Sequence, residues 1–365
     1  MRVAHDQVLP ADSRAEALGS RLQTPVGGVR FAVVIPLHNK GPHIARALDS
    51  VLAQTRPPAE IIVVDDASSD DGMAVVAAYD DARIKRLHRA APGPGGYAAR
   101  NLAIEAAESA WIAFLDADDA WEPGHLDALA AAIAGWSGPG SLNTVFSGFH
   151  IVEPDGSRRR DPFSERRRTK TAEPIALDFG GVIAAWLEIG HCPVWTSATA
   201  CRRAALIEAG LFPAGRCRRG GDKDLWLRLA AIGWTLAAPA TTAIYYRDAI
   251  NMVTRQQGTN TRHCLCDTIQ AMLQTLPAGM RPRIRGPLRR LFNLEVFMYA
   301  MQAALPAEGG EARAGSGRLD PALWSGFFVH ENPLRFLLLI ALSLVSAGPA
   351  VRRLARHWRR LRRAG

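Results

Sequence analysis

Two pairs of carboxylates stand where chemistry can use them. Asp65 and Asp66 follow the apolar run Ile61-Ile62-Val63-Val64, and Asp116 and Asp118 follow Trp111-Ile112-Ala113-Phe114-Leu115. Carboxylates on a loop offer hard oxygen ligands, which suit Mg2+ or Mn2+ held together with phosphate oxygens. Asp-x-Asp is a short pattern and Asp is common after strands, so solvated turn caps are the competing reading. Four acids at one edge repel one another unless something positive sits among them, which favours a ligand site. A third acidic cluster, Gly220-Gly221-Asp222-Lys223-Asp224, precedes the apolar positions Leu225, Trp226 and Leu229. An Asp at such a place can cap the helix that follows, and Asp222 and Asp224 both qualify.

The elements that must position these acids follow from periodicity. Phe31 to Ile35 and Ile61 to Val64 are continuous apolar runs, read as strands buried on both faces. Between them Ile44, Ala47, Leu48, Val51 and Leu52 recur at helical spacing, with Asn39 as the expected cap and Pro57-Pro58 as the stop. A helix over Asp71–Tyr79, a weaker strand over Ile84–His88, a helix over Tyr97–Glu108 and a strand over Trp111–Leu115 continue the alternation. Strand–helix alternation with short connections means parallel strands with helices on the faces. Ligands of such sheets lie beyond the carboxyl ends of the strands, where the acid pairs fall. Further on, the pattern predicts a helix over Pro123–Ala134, a strand over Asn143–Val152, a strand over Thr196–Ala200 and helices at Arg202–Ala209 and after Asp222. Glu153–Thr171, with two Arg triplets, reads as a long polar loop, either disordered or in contact with acidic lipid or an acceptor.

Composition excludes several classes. The 365 residues are 48% hydrophobic and 22% charged, which rules out a disordered chain or a small disulfide scaffold. The net charge of +9 is mainly a tail property. Seven arginines lie in the last fifteen residues, and without them 37 basic residues face 35 acidic ones. No nucleic-acid partner is therefore expected. Five scattered cysteines, with only a C-x-C at Cys264 and Cys266, suggest a reduced, cytosolic setting. His191 near Trp195 reads as a structural histidine, with acceptor contact as the sharper option. Gly93-x-Gly95-Gly96-x-Ala98 with Asp116 downstream has the outline of a dinucleotide fingerprint. The polar strand before it (Lys85, Arg86) and the loop prolines Pro92 and Pro94 count against a nicotinamide or flavin enzyme.

Six motifs in order decide among the remaining classes. Val33 to Asn39, Ser50 to Thr55, Ile61 to Ser68, Ala99-Arg100-Asn101, Phe114 to Asp119 and Gly221 to Leu229 together resemble the family 2 glycosyltransferases over roughly Phe31 to Arg247. The resemblance implies an α/β fold of GT-A type: a Rossmann-like mixed sheet flanked by helices, here with a C-terminal helical extension. It implies inverting transfer of a sugar from a nucleotide-sugar, with a UDP-sugar the expected donor. By the same resemblance Pro36, Asp65 and Asp66 match the base- and ribose-binding strand ends, and Arg100 and Asp116 match donor-side positions. Asp116 and Asp118 match a metal site for Mn2+ or Mg2+, and Asp222 matches the general base. Two departures stand out: Gly221 where relatives often carry Glu, and Ala249 where they often carry a His that serves metal or phosphate. These keep open a catalytically inactive nucleotide- or glycan-binding relative in a membrane assembly, and a metal-dependent nucleotidyltransferase, also α/β with metal carboxylates, is the other alternative.

The expected organisation is a flexible leader over 1–29, the glycosyltransferase domain over 30–255, a helical extension and linker over 256–330, and an apolar segment with a basic tail over 331–365. Helices are expected at Arg262–Leu276 and Pro287–Leu305. Phe336–Val351 is nearly all apolar but reaches only about 24 Å as a helix, short of a hydrocarbon core of about 30 Å. Val351, Leu354, Trp358 and Leu361 then line one helical face with arginines on the other. That pattern predicts a helix in an anionic membrane interface, with packing on protein and a full span as the alternatives. The expected location is cytoplasmic, on the inner face of the cell membrane, with a lipid-linked or surface-glycan acceptor.

Overall fold

The computed structural model describes residues 28–167, 173–217, 219–249, 263–304 and 326–344. Residues 1–27 of the leader and the basic tail lie outside the described residues, as do residues 305–325 of the extension and linker. The first half runs β1 (Phe31–Leu37), α1 (Gly41–Leu52), β2 (Glu60–Asp65), α2 (Gly72–Ala77), β3 (Ile84–His88), α3 (Tyr97–Ala106), β4 (Trp111–Phe114), β5 (Ala120–Trp121) and α4 (His125–Ala134). Then come β6 (Leu142–Val152), β7 (Arg158–Arg160), α5 (Pro162–Arg167), β8 (Ile175–Leu177), α6 (Phe179–Ile189), β9 (Thr199–Arg202), α7 (Arg203–Glu208), α8 (Gly221–Ile232) and β10 (Trp234–Tyr246). The extension adds α9 (Cys264–Thr275), α10 (Arg281–Ala304) and α11 (Pro333–Leu344).

The strands form one mixed sheet in the order β3-β2-β1-β4-β9-β6-β10-β5, with β7 on β6 and β8 on β10. The pairs β1–β2, β1–β4, β2–β3 and β6–β10 are parallel. β9 runs antiparallel to both β4 and β6, so it joins the two parallel halves. The unbroken apolar runs of β1 and β2 are explained by burial on both faces. Val33, Ile35, Leu37, Ile61 and Val63 meet α1 and α4 on one side. Ala32, Val34, Ile62 and Val64 meet α3, α7 and α8 on the other. Leu48 of α1 is fully buried in the first of these cores, and Leu48→Ala would cost about 2–5 kcal/mol. A third core joins α6 and the inner edge of α8 to α9, α10 and Leu339 of α11, so the extension packs on the helix that begins with Gly221 and Asp222.

Four expectations are corrected. Asn39 does not cap α1: it has φ 51°, and its side-chain oxygen accepts from the Ser69 amide at 2.8 Å instead. α10 begins at Arg281 rather than Pro287, and Pro287 sits inside it, where it costs one backbone hydrogen bond. Within Glu153–Thr171 the described part holds β7 and α5, with Asp161 accepting from the amides of Phe149 and Ser164. Cys217 and Cys264, read as unpaired, form a disulfide across 47 residues, with their Cα atoms 5.6 Å apart.

Candidate active site

The carboxyl ends of β1, β2 and β4 open onto a cavity of about 680 Å3. Pro36, Asp66, Arg100, Asp116, Asp118 and Asp222 all line it. Asp65 does not. Its carboxylate accepts from the Ser68 amide at 2.9 Å and faces His88 at 3.4 Å. His191 turns to the Cys192 carbonyl and also lies off the lining.

Asp66 is 1% exposed and organises one rim of the cavity. Its backbone amide continues the sheet by bonding to the Leu37 carbonyl at 2.7 Å. Its carboxylate pairs with Arg89 and accepts from the Gly93 amide at 3.0 Å. The loop so anchored passes through Gly95 and Gly96 at φ 71° and 64°, a region that glycine adopts without steric cost. A Cβ at Gly96 would lie 3.3 Å from the Arg100 guanidinium and 3.4 Å from Pro36. Arg100, rising from α3, donates to the Gly95 carbonyl at 2.8 Å and pairs with Asp116. Burial opposes its charge, and the Asp116 carboxylate more than offsets that.

The acidic run after β4 gathers Asp116, Asp118 and Asp119, with one oxygen of each within 4.8 Å of the others. Asp118 is held by Lys40 at 2.7 Å. Asp119 is buried behind them, accepting from Ser197 Oγ at 2.7 Å and the Tyr246 amide at 3.3 Å. Burial, then the charges of Asp118 and Asp116, push its carboxyl well above the usual carboxylate range. An all-oxygen set of this kind fits a hard divalent ion.

Asp222 lies in the first turn of α8, whose N-cap is Gly220 at φ 72°. Neither acid of this cluster is the cap. Asp224 is fully buried, accepting from Arg228 at 2.7 Å and from Thr268 Oγ1. The Gly221 amide donates to the Tyr97 hydroxyl at 2.8 Å. A Cβ there would lie 2.8 Å from the Tyr97 ring and 2.8 Å from Pro213, so glycine lets the first turn of α8 close on α3. Burial raises the Asp222 carboxyl, Lys223 and Arg100 pull it back, and Asp116 adds to the rise.

Part of the lining was not read from the sequence. Trp195 and Tyr245 belong to it, with rings 5.2 Å apart, and His263, Glu295, Met298 and Tyr299 come from the extension. Glu295 accepts from Lys223 Nζ and from Trp186 Nε1, both at 2.8 Å. A signal existed, since Leu294-Glu295-Val296-Phe297 places one acid inside an apolar run, and a buried acid needs a partner. Asp119 was also visible, as the last residue of its motif. Nothing local marked Lys40, Arg89 or Tyr97.

Comparison with known proteins agrees with this architecture. Residues 32–169 match the model for glycosyl transferase family 2. An uncharacterized glycosyltransferase of Nostoc sp. is 30% identical over 188 residues, 51% of this chain and 54% of the relative. The UDP-Glc:alpha-D-GlcNAc-diphosphoundecaprenol beta-1,3-glucosyltransferase WfgD of Escherichia coli is 39% identical over 97 residues, 26% of this chain and 38% of that protein. The chain thus spans about half or less of the length of these curated relatives. The crystal structure of S. aureus TarS 1-349 in complex with UDP-GlcNAc shares the fold, with a TM-score of 0.59 at 16% identity, covering 91% of this chain and 92% of that one.

Proposed function

Because the chain carries a glycosyl transferase family 2 domain, we propose that it is an inverting glycosyltransferase that moves a sugar from a UDP-sugar to a hydroxyl of a glycan or lipid-linked acceptor. The observation that carries this reading is the convergence of Asp66, Arg100, Asp116, Asp118 and Asp222, drawn from 157 residues of chain, on one cavity. The relative WfgD is named for a UDP-glucose donor and a diphosphoundecaprenol-linked acceptor, and TarS is described with UDP-GlcNAc. Both names favour a UDP-sugar here, and that of WfgD favours a lipid-linked acceptor.

In this reading Pro36 and Asp66 receive the base and ribose. A carboxylate beside uracil can accept its imide N–H. Arg100 and Lys40 bring positive charge to the diphosphate end. Asp222 takes the proton of the acceptor hydroxyl while that oxygen attacks the anomeric carbon. The new C–O bond forms as the bond to UDP breaks, UDP leaves with the electron pair, and one displacement inverts the anomeric centre. Asp116 and Asp118, with Asp119 behind them, would hold Mg2+ or Mn2+, which when bound neutralises charge on the departing diphosphate. Calorimetry with UDP tests the assignment: Asp66→Ala should weaken binding about tenfold or more, and unchanged affinity would remove Asp66 from the donor site.

Attachment to the inner face of the cell membrane completes the reading. No helix among the described residues is long and apolar enough to cross a membrane. α11 exposes Leu334 and Leu337, and the sequence after it carries the arginine cluster. An apolar face followed by arginines suits an anionic lipid surface. Sedimentation with anionic vesicles at low and high salt tests it, since a protein truncated after Leu344 should stay in the supernatant.

A further inference from the structure

We propose that the acceptor subsite is built at the seam between α8 and the C-terminal extension, and that it takes an uncharged sugar ring, with Tyr299 as a specificity-determining contact and Glu295 as a positioning residue. The proposal rests on the glycosyltransferase reading and adds to it where the acceptor binds and what class it belongs to.

Three observations carry it. First, α10 is buried without interruption from Leu291 to Phe297 and again at Ala300, but Met298 and Tyr299 are only partly covered and line the cavity. The helix therefore opens toward the site at those two residues. Second, the opening adjoins the first turn of α8: a Cβ at Gly220 would run into the His263 ring, Lys223 Nζ donates to Glu295 at 2.8 Å, and Asp222 lines the same cavity. His263 packs edge-on against the Tyr299 ring at 5.3 Å, which fixes the orientation of that ring. Third, charge at this end is balanced. The cations Arg219 and Lys223 face the anions Asp222 and Glu295, and burial, then Lys223, lowers His263 to about 4, so it stays neutral. An ionised acceptor group finds no net opposite charge here, whereas a sugar ring offers C–H faces to aromatic side chains and hydroxyls to carboxylates.

Glu295 acts through Lys223 rather than on the acceptor. Its two oxygens hold Lys223 Nζ and Trp186 Nε1, so one carboxylate ties α6, α8 and α10 together beside Asp222. None of these extension residues falls within 32–169, so the family-matched segment does not contain this wall of the cavity.

The test uses the full chain saturated with UDP and three probes below their micelle concentration: octyl β-D-glucoside, octyl β-D-galactoside and octyl N-acetyl-β-D-glucosaminide. Saturation-transfer NMR should show the sugar-ring protons of at least one probe in contact with the protein. Tyr299→Ala should weaken that probe about tenfold, Tyr299→Phe should retain it, and UDP affinity should stay within twofold in both. Glu295→Gln keeps the shape and should weaken the probe while leaving UDP affinity in place. Absence of ring contact for all three probes, or probe affinity unchanged in both Tyr299→Ala and Glu295→Gln, overturns the subsite. Failure of UDP itself to bind the unaltered protein overturns the glycosyltransferase reading beneath it.

Discussion

Lys40 Nζ sits 2.7 Å from Asp118 Oδ2, an ion pair that joins the loop after β1 to the acidic run after β4 across 78 residues. An ammonium at that place competes with a divalent cation for the same carboxylate. Two like charges at about 4 Å in a water-like medium repel by about 1 kcal/mol. Lys40→Met should therefore tighten Mn2+ binding to the UDP-loaded protein about fivefold, read by calorimetry. Weaker or unaltered Mn2+ binding would show that Asp118 is not a ligand.

Asp222→Asn should lower kcat by about 10²–10⁴, the range of a general base, while UDP affinity is kept. UDP release measured with and without acceptor checks this. Ordinary turnover in the variant would take Asp222 out of the mechanism.

Asp222 must be ionised to accept a proton, and burial raises its pKa. The acid limb of kcat/KM should then fall above the ordinary carboxylate range of about 4, with activity lost as pH drops through it. Lys223 holds that value down, so Lys223→Met should move the limb to higher pH. The rate–pH profiles of the two proteins decide the point, and a limb that stays put or moves down refutes the assignment.

Asp224 carries a structural load two residues from the proposed base. It is fully buried against Arg228 and Thr268, so it fastens α8 to the extension. Asp224→Ala leaves a mostly covered guanidinium without its carboxylate and should cost about 3 kcal/mol. Urea unfolding measures it, and a loss below about 1 kcal/mol would contradict that role.

The parallel half of the sheet was legible because burial on both faces writes an unbroken apolar run, as in β1 and β2. β10 was not. Pro239 stands in the middle of Trp234–Tyr246 and argues against a strand. The structure accommodates it with register shifts against β6 between Ala237 and Ala243. α6 was hidden by Gly180-Gly181 in its first turn, although Asp178 caps it through the Gly181 amide at 2.7 Å. In the cavity, Asp66 and the acids after β4 were legible because they close apolar runs at the carboxyl ends of strands. The wall supplied by Glu295 and Tyr299 did not, since it depends on a meeting of Lys223 and Glu295 across 72 residues that no local period encodes.

The bond between Cys217 and Cys264 closes the polypeptide into a loop that carries α8 and β10. Proteolysis anywhere inside that loop cuts the backbone yet leaves both fragments fastened to each other. A nicked molecule would migrate as one species in a denaturing gel and fall into two only after thiol treatment. Integrity of the peptide chain and integrity of the molecule are, over this stretch, separate properties.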